Sequence, residues 1–411
     1  MMPAPVKQRL AAAERIMARC DHLAACSEAA EHIQRSYLTA AHTAANELVA
    51  EWMSDAGLSV HRDAAGSIIG ESPLARAATL ALGSHLDTVP NAGAYDGPLG
   101  VLLAIEAAAV RDWHALPFAL EVIGFGEEEG VRFGTTMLTS RARAGVWDAT
   151  WWRLTDAAGT SLAEAFRQFG LVPDRIAEAC PAKALLGYLE VHIEQGPVLE
   201  QLGLPLGIVT AIVGARRFNF TITGKAGHAG TLPMDMRQDA LLAASRCVLL
   251  VNELARELNL VATVGAMRAR PGAVNVIAGE AGFSLDVRAP DSKLLDTFLQ
   301  RFLDRAQPCL MPGMTLTHEL THDAPAAGCA PGLQAALGTA VTSLGLPRHD
   351  MVSGAGHDAM VMAELCDVGM LFVRCAGGVS HHPDEAVTTE DVAWALTALE
   401  STIDNLATRH D

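Results

Sequence analysis

The chain has 411 residues, half of them hydrophobic, and a formal charge of −17. That length supports a large core divided between two domains, and the acidic balance argues against nucleic acid or an anionic membrane surface as partners. The eight cysteines include no Cys-x-x-Cys pair, which disfavours a zinc knuckle and fits free thiols; with neither a signal-peptide core nor an uncharged run of transmembrane length, a soluble cytoplasmic protein is expected.

Apolar residues at helical spacing predict helices over Val6–Ala25 and Ala40–Ala56, the second stopped by Gly57. Short strands are expected at Leu58–Arg62 and Ser67–Gly70. The apolar run Ala77–Leu82 reads as a buried strand. It leads into Gly83–Gly100 (GSHLDTVPNAGAYDGPLG), and a helical pattern follows over Val101–Trp113. Phe118–Phe125 is the next buried strand and ends in Gly126-Glu-Glu-Glu-Gly130. Gly145–Ala182 reads as a helical excursion with three tryptophans and no assigned chemistry. Gly187–Gln195 is a strand that brings His192, Glu194 and Gln195 to its end.

After Gly203–Gly207 the pattern changes to the alternation of half-buried antiparallel strands. Strands are expected at Phe218–Gly224, Val261–Met267, Gly282–Arg288 and Met314–Leu320, with helices at Asp235–Asn259 and Asp291–Ala306. The order β-α-β-β-α-β predicts a small ferredoxin-like α+β domain inserted into a larger α/β domain. The expected division is 1–207 with 324–411 for the larger domain and 208–323 for the insert. Beyond it come a helix at Gly332–Leu344, a loop with His357 and Asp358, a helix from Ala359, a strand at Gly369–Arg374, and a loop with His381 and His382. A helix over Thr389–Ala407 closes the chain, capped at Thr388 or Thr389.

Metal-ligating residue types gather at predicted strand ends, where α/β sheets place their chemistry. His85 and Asp87 are two apart and share a face of an extended segment. Asp87 is placed to hold the second nitrogen of a ligating His85, and Asp96 is free to ligate directly. A single histidine at a strand end is ordinary loop chemistry; five such residues form a pattern. With Asp96 shared, His85 and His192 complete one site and Glu129 and His381 a second. Divalent ions about 3.5–4 Å apart activate water and polarise a carbonyl, and Glu128 is the neighbouring general base.

Seven motifs in order carry a resemblance. They are GSHLDTV from Gly83, YDGPLGV from Tyr95, EEGVRF from Glu128, VHIEQGP from Val191, GHAGTLPM from Gly227, GAGHDA from Gly354 and SHHP from Ser380. Together they resemble the hydantoinase/carbamoylase family of amidohydrolases, which is related to the co-catalytic zinc aminopeptidases and carboxypeptidases. The resemblance spans about Arg15 to Asp391. It implies an α/β, mixed-sheet, aminopeptidase-like catalytic domain with two metal ions, and an inserted lid that also pairs two copies into a homodimer.

It further implies His85, Asp96, Glu129, His192 and His381 as ligands, Asp87 as their support and Glu128 as base. By the same resemblance His228 stabilises the developing oxyanion, reaching a neighbouring subunit's site, and Gln195, Asn275, Arg288 and His357 contact substrate. Arg216 and Arg217 are lesser contributors. The related peptidases usually have a carboxylate at the position of His192. The implied activity is hydrolysis of the carbamoyl (ureido) group of a small carboxylate, either an N-carbamoyl-L-amino acid or allantoate. A dipeptidase and a non-catalytic binding protein are the alternatives. Zinc, manganese, cobalt and nickel all suit the ligand types.

Overall fold

A computed structural model describes residues 2–410 of the chain. It divides into two compact units, Met1–Thr210 with Cys329–Asp411, and Ala211–Gly328. The first is built on a sheet whose strands are β1 (Ser59–Arg62), β2 (Ile68–Glu71), β3 (Thr79–His85), β4 (Ala119–Phe125), β5 (Leu185–Ile193) and β6 (Leu206–Ile212). The second contributes β7 (Gly214–Thr223), β8 (Gly227–His228), β9 (Val261–Thr263), β10 (Met267–Arg270), β11 (Val276–Ile277), β12 (Glu280–Ala289) and β13 (Thr315–Ala324). The chain returns through β14 (Ala327–Gly328), β15 (Asp350–Ser353) and β16 (Val368–Val373).

The large sheet has the order β1-β2-β4-β3-β5-β16-β6-β14, with β15 paired to β6. Its centre, β4-β3-β5-β16, is parallel. The flanking pairs are antiparallel. This is a mixed sheet, as the motif resemblance implies. The central strands are buried along nearly their whole length, because helices cover the sheet. The helix Pro98–Ala109 is buried at eleven successive positions from Pro98 to Ala108. A helix that is apolar on every side belongs inside a core. It packs with Leu10–Ala25 and Thr389–His410 into one apolar cluster over the sheet.

The second unit has the antiparallel order β10-β12-β7-β13, with β9 on β12 and a separate ribbon of β8 and β11. On β12, every second residue from Ala281 to Ala289 is buried, the period that a one-sided sheet requires. Helices Ala240–Glu257 and Ser292–Ala306 supply the other half of that core. Phe220 stacks on Phe283 at 5.1 Å and meets Phe302 edge-on at 5.0 Å.

Several elements differ from the sequence expectation. The helix expected over Val6–Ala25 is broken at Arg9 into Ala4–Gln8 and Leu10–Ala25. The excursion Gly145–Ala182 holds one α-helix, Leu162–Gln168, between the 3-10 turns Ala149–Arg153 and Pro173–Ala179; Trp147 and Trp152 pack on Phe166, and Trp151 on Trp147. The long helix starts at Ala240, because Asp239 caps it by accepting from Leu241 and Leu242 N–H. Strands β6, β8, β11, β14 and β15 carry no alternation long enough to announce them. Among the described residues, no helix is long and apolar enough to cross a membrane.

One contact fixes the buried helix to the sheet. A Cβ on Gly100 would lie 2.1 Å from the carbonyl oxygen of Val191 and 2.9 Å from Ser84 Cβ. Gly100→Ala should therefore lift the helix start from β5 and cost about 1–3 kcal/mol, as overpacking does, seen as a lowered melting temperature.

Candidate metal centre

The four central parallel strands deliver chemistry at their carboxyl ends. His85 is the last residue of β3, Glu128 and Glu129 follow β4, His192 is next to last in β5, and His381 lies in the loop after β16. Asp96 comes from the loop between β3 and the buried helix. Gly97 turns that loop with φ +86°, and a Cβ there would sit 2.5 Å from the His85 ring. Only glycine meets both demands.

Asp96 is the hub. Its Oδ1 is 3.1 Å from His192 Nε2 and 3.8 Å from His85 Nε2. Its Oδ2 is 3.1 Å from His381 Nε2, which is 3.3 Å from Glu129 Oε1. One carboxylate thus presents one oxygen to an imidazole pair and the other to an imidazole and a carboxylate. Four compact ligand groups result among the described residues: His85 with Asp96 and His192, Asp96 with Glu129 and His381, His85 with Glu128 and Glu129, and Glu190 with His192 and His357. Asp96 Oδ1 and His192 Nε2 are both buried with no hydrogen-bond partner. With His192 Nδ1 donating to a carbonyl, both atoms present lone pairs, and buried lone pairs facing one site are what a cation would satisfy.

The ligand-type side chains are held from behind. His85 Nδ1 is 3.0 Å from the Asp87 carbonyl oxygen, and His192 Nδ1 is 2.9 Å from that of Ile193. Each leaves Nε2 directed inward. Asp87 carries a second duty: its carboxylate accepts from the main-chain N–H groups of Glu128 and Glu129, both at 3.1 Å, while lying 3.7 Å from the His85 ring. Glu127 adopts φ +55° and turns away, accepting from the N–H groups of Arg132 and Phe133. Of the three consecutive glutamates, one braces the turn and two face the cluster.

The field of the site is strongly anionic. Burial alone would lower the His85 and His192 imidazoles, yet Asp96 and the neighbouring carboxylates outweigh it and raise both. Hydrogen bonding to Asp96 and Glu129 lifts His381 to about 10. Burial would raise Asp96, but the three imidazoles pull it well below the usual carboxylate range. Burial holds Glu128 well above that range. A field that raises three imidazoles equally favours divalent cations.

Behind His192 lies a second buried layer. The ring of His357 meets that of His192 at 4.4 Å, and its Nε2 is 2.7 Å from Ser353 Oγ. Glu190 accepts from Ser84 Oγ and the Ala359 N–H. His357, expected to touch substrate, is thus buried to 1% exposure against a ligand-type ring. Gln195 adjoins the cluster and donates to Asp96 Oδ2 at 2.9 Å. Glu190, Ser380 and Glu385 are neighbours that the sequence reading passes over; Glu190 alone carried a signal, since it sits two positions before His192 on the same strand face.

His228, Asn275 and Arg288 belong to the second unit. β8 and β11 pair His228 with Val276, beside Asn275. The Gly230 N–H donates to His228 Nδ1, so the neutral ring carries its proton on Nε2. Arg288 and Arg217 both donate to Asp286, and Arg216 pairs with Asp296 and Asp323. A cavity of about 1000 Å³ lies elsewhere, at the amino ends of the strands near Thr79, Ala119 and Leu185. Its buried Arg143 and Glu121 pair with each other.

The model of peptidase family M20/M25/M40 matches residues 81–405. The chain is 40% identical over 382 residues to an N-carbamoyl-L-amino acid amidohydrolase of Geobacillus stearothermophilus, covering 91% of this chain and 93% of that one. It is 38% identical over 422 residues to an allantoate deiminase of Arabidopsis thaliana, covering 93% and 80%. Among solved structures, a hydantoinase/carbamoylase family amidase from Burkholderia multivorans superposes with a TM-score of 0.85 at 31% identity, covering 95% of this chain and 97% of its own.

The arrangement makes Asp96 common to two ligand groups. Adding zinc(II) to chelator-treated protein at about 100 times its dissociation constant should stabilise the fold by about 2.7 kcal/mol per site. Asp96→Ala should abolish the resulting rise in melting temperature.

Proposed function

The chain belongs to peptidase family M20/M25/M40, and within it we propose a metal-dependent amidohydrolase that removes the carbamoyl group of a small ureido carboxylate, an N-carbamoyl-L-amino acid or allantoate. The observation that carries the reading is the divided Asp96 carboxylate, with two imidazoles at one oxygen and His381 with Glu129 near the other. The names of the two relatives, at 40% and 38% identity, narrow the substrate to that class.

His85, His192 and Asp96 would hold one divalent ion, and Asp96, Glu129 and His381 the other. When bound, such a pair supplies Lewis acidity toward a carbonyl and lowers the pKa of water. Everything else falls to the chain. Glu128, aimed by its N–H bond to Asp87, takes a proton as water adds to the ureido carbonyl carbon. The C–N bond to the amino acid nitrogen then breaks, and Glu128 returns the proton to that nitrogen. The released carbamate decomposes to ammonia and carbon dioxide.

The second unit would act as lid and pairing surface in a homodimer. There His228, whose Nε2–H is fixed by the Gly230 bond, would reach a neighbouring subunit's site and donate to the developing oxyanion. Asn275 and Arg288 would hold the substrate's carboxylate and polar groups, and Gln195 would contact it near the metals. The metal would be zinc, manganese, cobalt or nickel.

Incubating the metal-loaded protein with an N-carbamoyl-L-amino acid, allantoate and a dipeptide tests the class. Ammonia should appear with a ureido substrate and the dipeptide should persist; dipeptide cleavage without ammonia would reverse the assignment. Glu128→Gln should lower kcat by about 10²–10⁴-fold, the usual share of a general base, with metal content and melting temperature unchanged.

A further inference from the structure

The two halves of the cluster are built to different standards. His85 and His192 stand on sheet strands, 1% and 2% exposed, and each ring is anchored by a main-chain carbonyl. His381 stands on a loop at φ +56° with its side chain 48% exposed. Among the described residues, no main-chain carbonyl accepts from its ring. Glu129, its companion, also stands on a loop.

A single buried side chain ties the loop that carries Asp96 to the loop that carries His381. Glu385 Oε1 accepts from the main-chain N–H groups of Tyr95 at 2.8 Å and Asp96 at 3.1 Å. Glu385 Oε2 is 3.1 Å from Ser380 Oγ, whose neighbour in sequence is His381. Ser380 Oγ is also 3.2 Å from Asp96 Oδ2 and accepts from Gln195 Nε2 at 3.1 Å. The contact crosses 289 positions of chain. The fold leaves room for it: a Cβ on Gly93 would lie 2.4 Å from Glu385 side-chain atoms. Of the side chains in this network, Ser380 and Gln195 reach the Asp96 carboxylate, both at Oδ2, the oxygen facing His381.

We infer that Glu385 is a positioning residue that fixes the His381–Glu129 half of the centre, so that this half is the weaker cation site and depends on Glu385 while the His85–His192 half does not. The inference rests on the two-ion reading above. Removing a partner that orients ligands lowers metal affinity by about 10–100-fold. Here the loss falls on one ion of two, because the strand-borne pair keeps its own anchors.

The test is calorimetric titration of chelator-stripped protein with zinc(II) alone, with far-UV circular dichroism of each metal-free form. Wild type should take two ions per chain with unequal affinities. Glu385→Ala should weaken only the weaker step, by about 10–100-fold. Ser380→Ala, which keeps the Glu385 bonds to Tyr95 and Asp96, should do the same to a smaller extent. In a His381→Ala background, Glu385→Ala should change nothing further, since the half it serves is already lost. Equal weakening of both steps, or unchanged affinities, would overturn the inference while leaving the two-ion reading intact. Should Glu385→Ala fail to fold, an unaltered Ser380→Ala titration would overturn it too. Fewer than two ions on wild type would remove the two-ion reading and the inference with it.

Discussion

A single carboxylate with its two oxygens facing different neighbours is the constraint around which the larger unit is arranged. Asp96 must reach His85 and His192 on one side and His381 on the other. That requires a loop that leaves β3, turns sharply at Gly97 and starts a helix at Pro98, with no side chain between the turn and the His85 ring. It also requires that helix to lie flat on the sheet, which Gly100 allows by letting backbone meet backbone at Val191. The geometry of the hub is therefore set by packing as much as by chemistry. Burying several carboxylates together is costly unless positive charge accompanies them, and the shifted imidazoles show how strongly this pocket draws such charge.

Around the hub, the parallel strands divide the labour by position. The inner strands β3 and β5 give the well-anchored imidazoles, whereas β4 and β16 give residues one turn further out, on loops that need support. The support comes from Asp87 for the Glu128–Glu129 turn and from Glu385, which links the Tyr95–Asp96 backbone to Ser380 beside His381. Both are carboxylates that accept pairs of main-chain N–H groups, so both fix backbone. Left-handed backbone at Glu127, Gln195 and His381 marks the same boundary between sheet and site, where strain is expected to gather.

What the sequence shows and what it hides follow from the range of each interaction. His85 and Asp87 are legible because a period of two is a local property. The buried strands are legible because their apolar runs are continuous, and the alternating β12 because its period is unmistakable. Strands as short as β8, β11 and β14 leave no period to read; they exist because a neighbour supplies their hydrogen bonds. The three glutamates after β4 look equivalent in sequence, and only the left-handed turn at Glu127 separates the brace from the pair that faces the cluster. Asp87 reads as a support for His85, but its bonds to the N–H groups of Glu128 and Glu129 depend on β3 and β4 being neighbours. Glu385 gives no sign of itself, since an acid before a helix is ordinary and its partners are two amide hydrogens nearly three hundred positions away. The motif resemblance reached the ligand-type residues because those lie inside motifs, and it passed over Glu385, which lies beyond the last one.

The smaller unit leaves through β6 and comes back through β14, and these two strands are paired, with Ile212 opposite Ala327 and Ala211 opposite Gly328. To the large sheet, more than a hundred residues of insertion thus amount to one oversized hairpin loop. Closing such a loop adds little entropy cost for each further residue, and its two ends are already registered by hydrogen bonds. The junction is therefore a natural point for exchange: another domain whose termini lie a strand's width apart would be accommodated there without disturbing the order of the sheet.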